Sequence, residues 1–270
     1  MNFRQGVLFM LRSLNTAATG MDSQQKLIDT LSNNMANVNT IGFKASRANF
    51  EDLLYQNIRA PGLQSSEGTI SPSGIQVGNG SKLVSVEKSF EDGAAKVTNK
   101  ETDLAVMGRG FFRIQLPDGS ISYTRDGTLH RGADGRIVTQ EGLPLVPEIV
   151  VPENTISLRI GIDGTVTAKV SGEIDSRNLG QIQIATFINP AGLNAMGRNM
   201  YAQTPASGEP VINVAGENGA GIIEQGQLET SNVNIVEEMV QMIVGQRAYE
   251  LNSKVIKTGD EMLQATNALR

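Results

Sequence analysis

The chain has 270 residues, a formal net charge of −5, 39% apolar and 4% aromatic residues, and no tryptophan. It has no cysteine and one histidine, His130, which excludes thiol nucleophiles, disulfides, Cys-ligated zinc, iron–sulfur clusters and any site needing two histidines. The acidic balance and the lack of any Lys/Arg cluster argue against nucleic-acid binding and against adhesion to anionic membranes.

At the N-terminus, alternating steps of four and three place Phe3, Val7, Met10, Leu14, Ala17, Met21, Gln24, Ile28, Leu31, Met35 and Val38 on one stripe. All but Gln24 are apolar, so the spacing predicts a long helix with a heptad seam. Its longest apolar run, Val7–Leu11, is far short of the ~20 residues of a membrane span, and Arg12 follows directly. The same interruption argues against a secretory signal. Thr40-Ile41-Gly42 closes the stripe, with Gly42 able to turn left-handed after a helix end. Asn33, Asn34 and Asn37 fall where the helix stops. Their amides could satisfy backbone groups there, or simply be exposed, and the sequence does not separate the two.

Residues 47–80 read as a long irregular loop: a short apolar cluster, Phe50–Tyr55, then Pro61-Gly62, Ser71-Pro72-Ser73-Gly74 and Gly78-Asn79-Gly80. Ile58, Leu63, Ile70, Ile75 and Val77 make the segment too apolar for a free linker. From about Lys82 to Gly226 the pattern is β. Asp-Gly pairs at Asp92, Asp118, Asp126, Asp134 and Asp163 punctuate alternating segments, the strongest short-range hairpin signal. Phe111–Leu116, the turn Pro117-Asp118-Gly119-Ser120, and Ile121–Thr124 form one predicted hairpin, and Gln181–Phe187 a further strand.

The C-terminus is again helical. Val244, Ala248, Leu251, Val255, Thr258, Met262, Ala265 and Leu269 step by four and three, beside a second stripe of Met242, Tyr249, Ile256 and Leu263. Asn234 and Glu237 form a capping-box-like start. Both terminal stripes span about 36 residues, roughly 54 Å as helix. Paired, they leave surplus apolar surface, which other copies of the same chain can cover. The expected class is therefore α+β: long terminal helices in a discontinuous coiled-coil layer, with a β-rich inserted domain.

No catalytic constellation stands out. Glu51-Asp52, Glu91-Asp92 and Glu237-Glu238 are adjacent pairs that do not face each other in regular structure. Gly108-Arg109-Gly110 is too short for a phosphate loop, and the Asp-Gly turns lack the acidic ladder of a calcium loop. His130 reads as a surface side chain.

Ser32-Asn33-Asn34-Met35-Ala36-Asn37-Val38-Asn39-Thr40-Ile41-Gly42-Phe43-Lys44 resembles the N-terminal signature of bacterial flagellar axial proteins, the rod, hook and hook-associated subunits. Glu229-Thr230-Ser231-Asn232-Val233-Asn234, with Gln246-Arg247-Ala248-Tyr249-Glu250, is similar to the C-terminal signature of that family. Gly108-Arg109-Gly110-Phe111-Phe112 and Tyr123-Thr124-Arg125-Asp126-Gly127 extend the match through the middle. Family members usually begin close to Met10, so residues 1–9 are either an extension or precede the true start; Phe3 and Val7 keep the heptad phase.

The resemblance implies a structural subunit of the flagellar basal body. It would be exported unfolded without a cleaved signal peptide, then polymerise helically into the periplasm-crossing distal rod that transmits torque to the hook. Implied partners are further copies, other rod subunits, hook protein, the surrounding rings and the export apparatus. No enzyme activity, cofactor, metal, nucleic acid or membrane insertion is implied. Residues 1–45 with 230–270 would form the helical domain, 46–81 a connecting segment and 82–229 the outer β domain. Assembly would rest on Leu14, Met21, Ile28, Leu31, Met35, Asn33, Asn34, Asn37, Gly42, Val244, Ala248, Tyr249, Leu251, Val255, Met262 and Leu269. Bracing between neighbours would rest on Tyr55, Ile58, Pro61, Leu63, Pro72 and Ile75. A proximal-rod or hook-type subunit is the alternative within the family, and a cell-wall-acting enzyme the alternative outside it.

Overall fold

The computed structural model describes residues 3–59, 64–65, 69–70, 73–172 and 175–268. Pro61, Leu63, Pro72 and Leu269 lie outside the described residues. The fold is α+β and divides into two compact units. The first holds residues 1–35, 46–87 and 235–270; the second holds 36–45 and 88–234. Residues 46–87 thus group with the helices, and 36–45 with the β-rich unit.

In the first unit, α1 (Phe3–Ala36) and α2 (Ile235–Ala268) are each 34 residues long. They run antiparallel, as the pairs in contact show. A Cβ added at Gly259 would meet Leu14 Cδ2 at 2.6 Å, one at Gly20 would meet Asn252 Nδ2 at 2.9 Å, and one at Gly245 would meet Ile28 Cγ1 at 3.4 Å. The helices therefore approach through small or polar positions.

The expected loop after α1 is instead a nested two-stranded ribbon. Ser46–Asp52 pairs with Ser81–Lys88, Gln56–Arg59 with Ile75–Val77, and Gln64–Ser65 with Thr69–Ile70. Its base rests on α1, where the hydroxyls of Ser23 and Ser81 lie 3.0 Å apart. Gln56–Arg59 is exposed along its whole length. A ribbon with little core-facing surface has no apolar alternation for a sequence to reveal.

The second unit is built on a seven-stranded sheet with the order Asn194–Gly197, Met200–Ala202, Ile121–Thr124, Phe111–Gln115, Gln183–Thr186, Val211–Val214; Leu145–Val146 also pairs with Phe111–Gln115. Thr155–Ile160, Thr165–Val170 and Arg177–Gln181 form a three-stranded sheet. Side chains alternate across the strand from Phe111, so the sheet buries both faces. Phe112, Ile114 and Ile184 enter the main core, while Phe111, Tyr123, Ala185 and Tyr201 enter a smaller aromatic one. In the latter, Tyr123 and Phe187 meet edge-on at 4.8 Å.

The predicted hairpin forms, pairing Ile121 with Gln115 and Thr124 with Phe112. Asp134 and Asp163 also head hairpin turns, each accepting a hydrogen bond from the backbone N–H two residues on. Asp92 and Asp126 head no hairpin, although Asp126 Oδ1 likewise accepts from Thr128 N at 2.9 Å. Their glycines instead permit close backbone passage: a Cβ at Gly93 would lie 1.9 Å from Thr230 O, and one at Gly127 1.6 Å from Leu104 O. Gln181–Phe187 is not one strand, because its ends belong to different sheets with buried Ile182 between them.

Candidate assembly surface

The two terminal helices differ in what they leave uncovered. On α1, Leu31 is buried and Leu14, Met21, Ile28 and Met35 are half-buried, so its seam is largely filled within the unit. Exposed positions on α1 include Asp22, Gln25, Lys26, Asp29, Ser32 and Asn33.

α2 is the reverse. The stripe expected to form its seam stands in solvent: Val244 is 62% exposed, Leu251 65%, Val255 48% and Met262 48%. Tyr249 is exposed as well, and Ala248 half-buried. The reason is rotational. α2 turns Glu238, Gly245, Asn252 and Gly259, spaced by seven, toward α1. Met242, Ile256 and Leu263 of the second stripe are half-buried on that side. The main stripe then falls on an open flank of α2. Toward the start of the helix, Val236, Met239, Val240 and Ile243 widen the exposed apolar area.

Asn34 is only 1% exposed, and its amide pairs with the backbone of Ser46 in both directions. Nδ2 donates to Ser46 O at 2.8 Å and Oδ1 accepts from Ser46 N at 2.8 Å. Nδ2 also lies 3.2 Å from both carboxylate oxygens of Glu238. Desolvation raises the Glu238 carboxyl above its ordinary range, opposed by the Asn34 bond. Through these bonds Asn34, in the last turn of α1, satisfies the backbone of Ser46, where the ribbon begins, rather than that of the helix end itself. Asn37 serves a tighter local turn, its Oδ1 accepting from Thr40 Oγ1 at 3.1 Å. Gly42 takes φ +67°, but several residues past the helix end. There its bare Cα passes the Arg125–Asp126 backbone, and a Cβ would sit 2.7 Å from Asp126 N.

On the ribbon, Tyr55 is 54% exposed, with Ile58 and Ile75 similarly open beside the nearly bare Leu54. The Tyr55 ring packs over Gly78, where a Cβ would lie 3.4 Å from Cε1.

Inside the second unit lies a cluster that the sequence reading missed. Lys44, Arg125 and Glu229 are 0%, 2% and 1% exposed. Lys44 Nζ sits 2.6 Å from Glu229 Oε1 and donates to Glu91 O at 2.6 Å. Arg125 Nη1 lies 3.4 Å from Glu229 Oε2, and Nη2 donates to Gly108 O at 2.8 Å. Burial lowers the Lys44 ammonium below its ordinary range, and the Glu229 charge resists the shift. Nearby, Asn232 Oδ1 accepts from Ala45 N at 2.8 Å, and its Nδ2 donates to Ser89 O at 3.0 Å. Each of the three charges belongs to a different signature segment, which was the available clue. Among the described residues, no helix is long and apolar enough to cross a membrane.

Three family models match the chain: the flagella basal body rod protein model at residues 14–44, the flagellar hook protein FlgE/F/G D1 domain at 105–168, and the flagellar basal body rod FlgEFG protein C-terminal model at 224–269. The chain is 48% identical over 260 residues to the flagellar basal-body rod protein FlgG of Buchnera aphidicola from Schizaphis graminum, covering 96% of this chain and 100% of that one. It is 47% identical to FlgG of Borreliella burgdorferi, covering 97% and 99%, and 46% identical to FlgG of Caulobacter vibrioides, covering 96% and 100%. The N-terminal model ends on Lys44 and the C-terminal one takes in Glu229, so the segments that meet at the buried charges are also those the comparisons pick out. The chain belongs to the flagellar basal-body rod protein family.

Proposed function

We propose that the chain is a structural, non-enzymatic subunit of the distal rod, joining other copies helically into a shaft that carries torque from motor to hook. The observation that carries this reading is the uncovered flank of α2, from Val244 through Leu251 and Val255 to Met262. Monomeric proteins rarely leave so long an apolar strip open, and a helical array of identical copies is the arrangement that repeats one such contact without limit. In this reading α1 and α2 of successive copies pack as a coiled-coil inner layer. Leu54, Tyr55, Ile58 and Ile75 of the ribbon brace neighbouring copies. Partners at the two ends of the shaft are other rod subunits and hook protein, with ring proteins around it, reached through the export apparatus.

The native chain has no cysteine, so a single Leu251→Cys substitution gives a clean cross-linking probe. Assembled material should yield covalent dimers and higher species through this position, whereas Asp29→Cys, on the polar face of α1, should cross-link far less. Equal cross-linking at both positions, or a chain that sediments as a monomer at every concentration, would overturn the reading.

A further inference from the structure

The buried charges sit at the last step of a long path along the chain. Lys44 follows α1, Arg125 lies mid-chain, and Glu229 arrives 185 residues after Lys44. Before Glu229 is in place, the pocket holds two cations whose nearest other carboxylate is Asp92, 3.5 Å from Arg125 Nη1 and itself 43% exposed. Glu229 supplies more than charge. Its Oε1 accepts from Gly93 N at 2.9 Å, its backbone carbonyl accepts from Gly42 N at 2.8 Å, and the strand Gln227–Glu229 pairs with Ala95–Val97. Thr230 N then donates to Ala94 O at 2.9 Å, and Asn232 joins Ala45 to Ser89.

We propose that Glu229 is the closing latch of the β-rich unit: the unit reaches its folded state only when the strand before α2 delivers this carboxylate between Lys44 and Arg125. Two buried like charges with only the half-open Asp92 carboxylate beside them oppose closure, and the buried Glu229 carboxylate turns that opposition into attraction. A chain delivered N-terminus first therefore keeps the unit open until residue 229 of 270 has emerged. Completion of the fold is tied to near-completion of the chain.

The test uses the full chain and native-state amide hydrogen exchange. With Glu229→Gln, protection should fall about a hundredfold at Ile114, Val166 and Ile184, deep in the core, together with the amides of 93–97 and 227–232. Adding Lys44→Met removes one of the stranded cations and should restore at least tenfold of that loss. If protection falls only at 93–97 and 227–232 while the deep core is unchanged, the strand merely frays and the latch is refuted. Should Glu229→Gln alone fail to fold, the double variant decides: recovery supports the latch, and no recovery refutes it.

Discussion

Leu251→Asp separates the stability of the single chain from its capacity to assemble. Leu251 is 65% exposed on the open flank of α2, so the isolated chain has little to lose. Its stability should change by no more than about 0.5 kcal/mol, the usual range for surface substitutions. In a copy-to-copy contact the same position matters twice. Fully burying a leucine is worth about 1.5–3 kcal/mol, and most of that gain is still outstanding here, roughly 1–2 kcal/mol. A carboxylate trapped there without a partner costs a further 3–5 kcal/mol or so. At about 1.4 kcal/mol per decade, the concentration needed for polymerisation should rise on the order of a thousandfold or more. Sedimentation and electron microscopy read that concentration, and circular dichroism reads the monomer. Leu14→Asp is the contrasting control. Leu14 packs at the Gly259 contact between the helices, so the change should weaken the helix pair in the monomer itself. Polymerisation of Leu251→Asp at the wild-type concentration would refute the role of this flank.

Asn34→Ala removes both bonds to the Ser46 backbone and should cost about 2–3 kcal/mol in a chemical denaturation curve. Asn34→Asp should be worse at neutral pH, because a second carboxylate then faces Glu238. Burial raises the Glu238 carboxyl in the folded state, so its stabilising contribution is complete below the ordinary value of 4.5 and is lost as pH rises through the raised value. Glu238→Gln should therefore modestly stabilise the helix pair at pH 7, with the gain vanishing at pH 4 in thermal melts. Burial pushes the Tyr201 phenol up to about 12. Stability from this group holds below pH 10 and fades as pH passes 12, so an ultraviolet titration should show a phenol that ionises late, at about pH 12. Tyr201→Phe should remove that late step.

The terminal helices were legible because their heptad stepping runs unbroken for many turns. Which flank of α2 is covered was not. Glycine and asparagine at 245, 252 and 259 carry no apolar signal, yet closeness of approach made them the contact, leaving the more apolar stripe outside. The ribbon escaped notice for a related reason: strands such as Gln56–Arg59, exposed at every residue, carry no inside-outside alternation. Hairpins at Asp118, Asp134 and Asp163 were readable from local turn chemistry, whereas Gly93 and Gly127 answer to backbone passing from far along the chain. Lys44 and Glu229 carry no local sign of burial, because each is covered together with a partner 185 residues away, a distance no local pattern spans. Their place within signature segments was visible; their pairing was not.

The spacing of Glu238, Gly245, Asn252 and Gly259 also governs how the protein's length can change over evolutionary time. Each added residue rotates an α-helix by about 100°, so an arbitrary insertion in α2 would swing a bulky side chain into the space where Leu14 now passes Gly259. Seven residues return the helix to within about 20° of its starting phase. Insertions or deletions of one heptad, matched in α1 and α2, keep the bare positions in line and the apolar flank on the same side. Longer or shorter helix pairs thus remain open to selection in steps of roughly 10 Å of helix, and intermediate lengths do not.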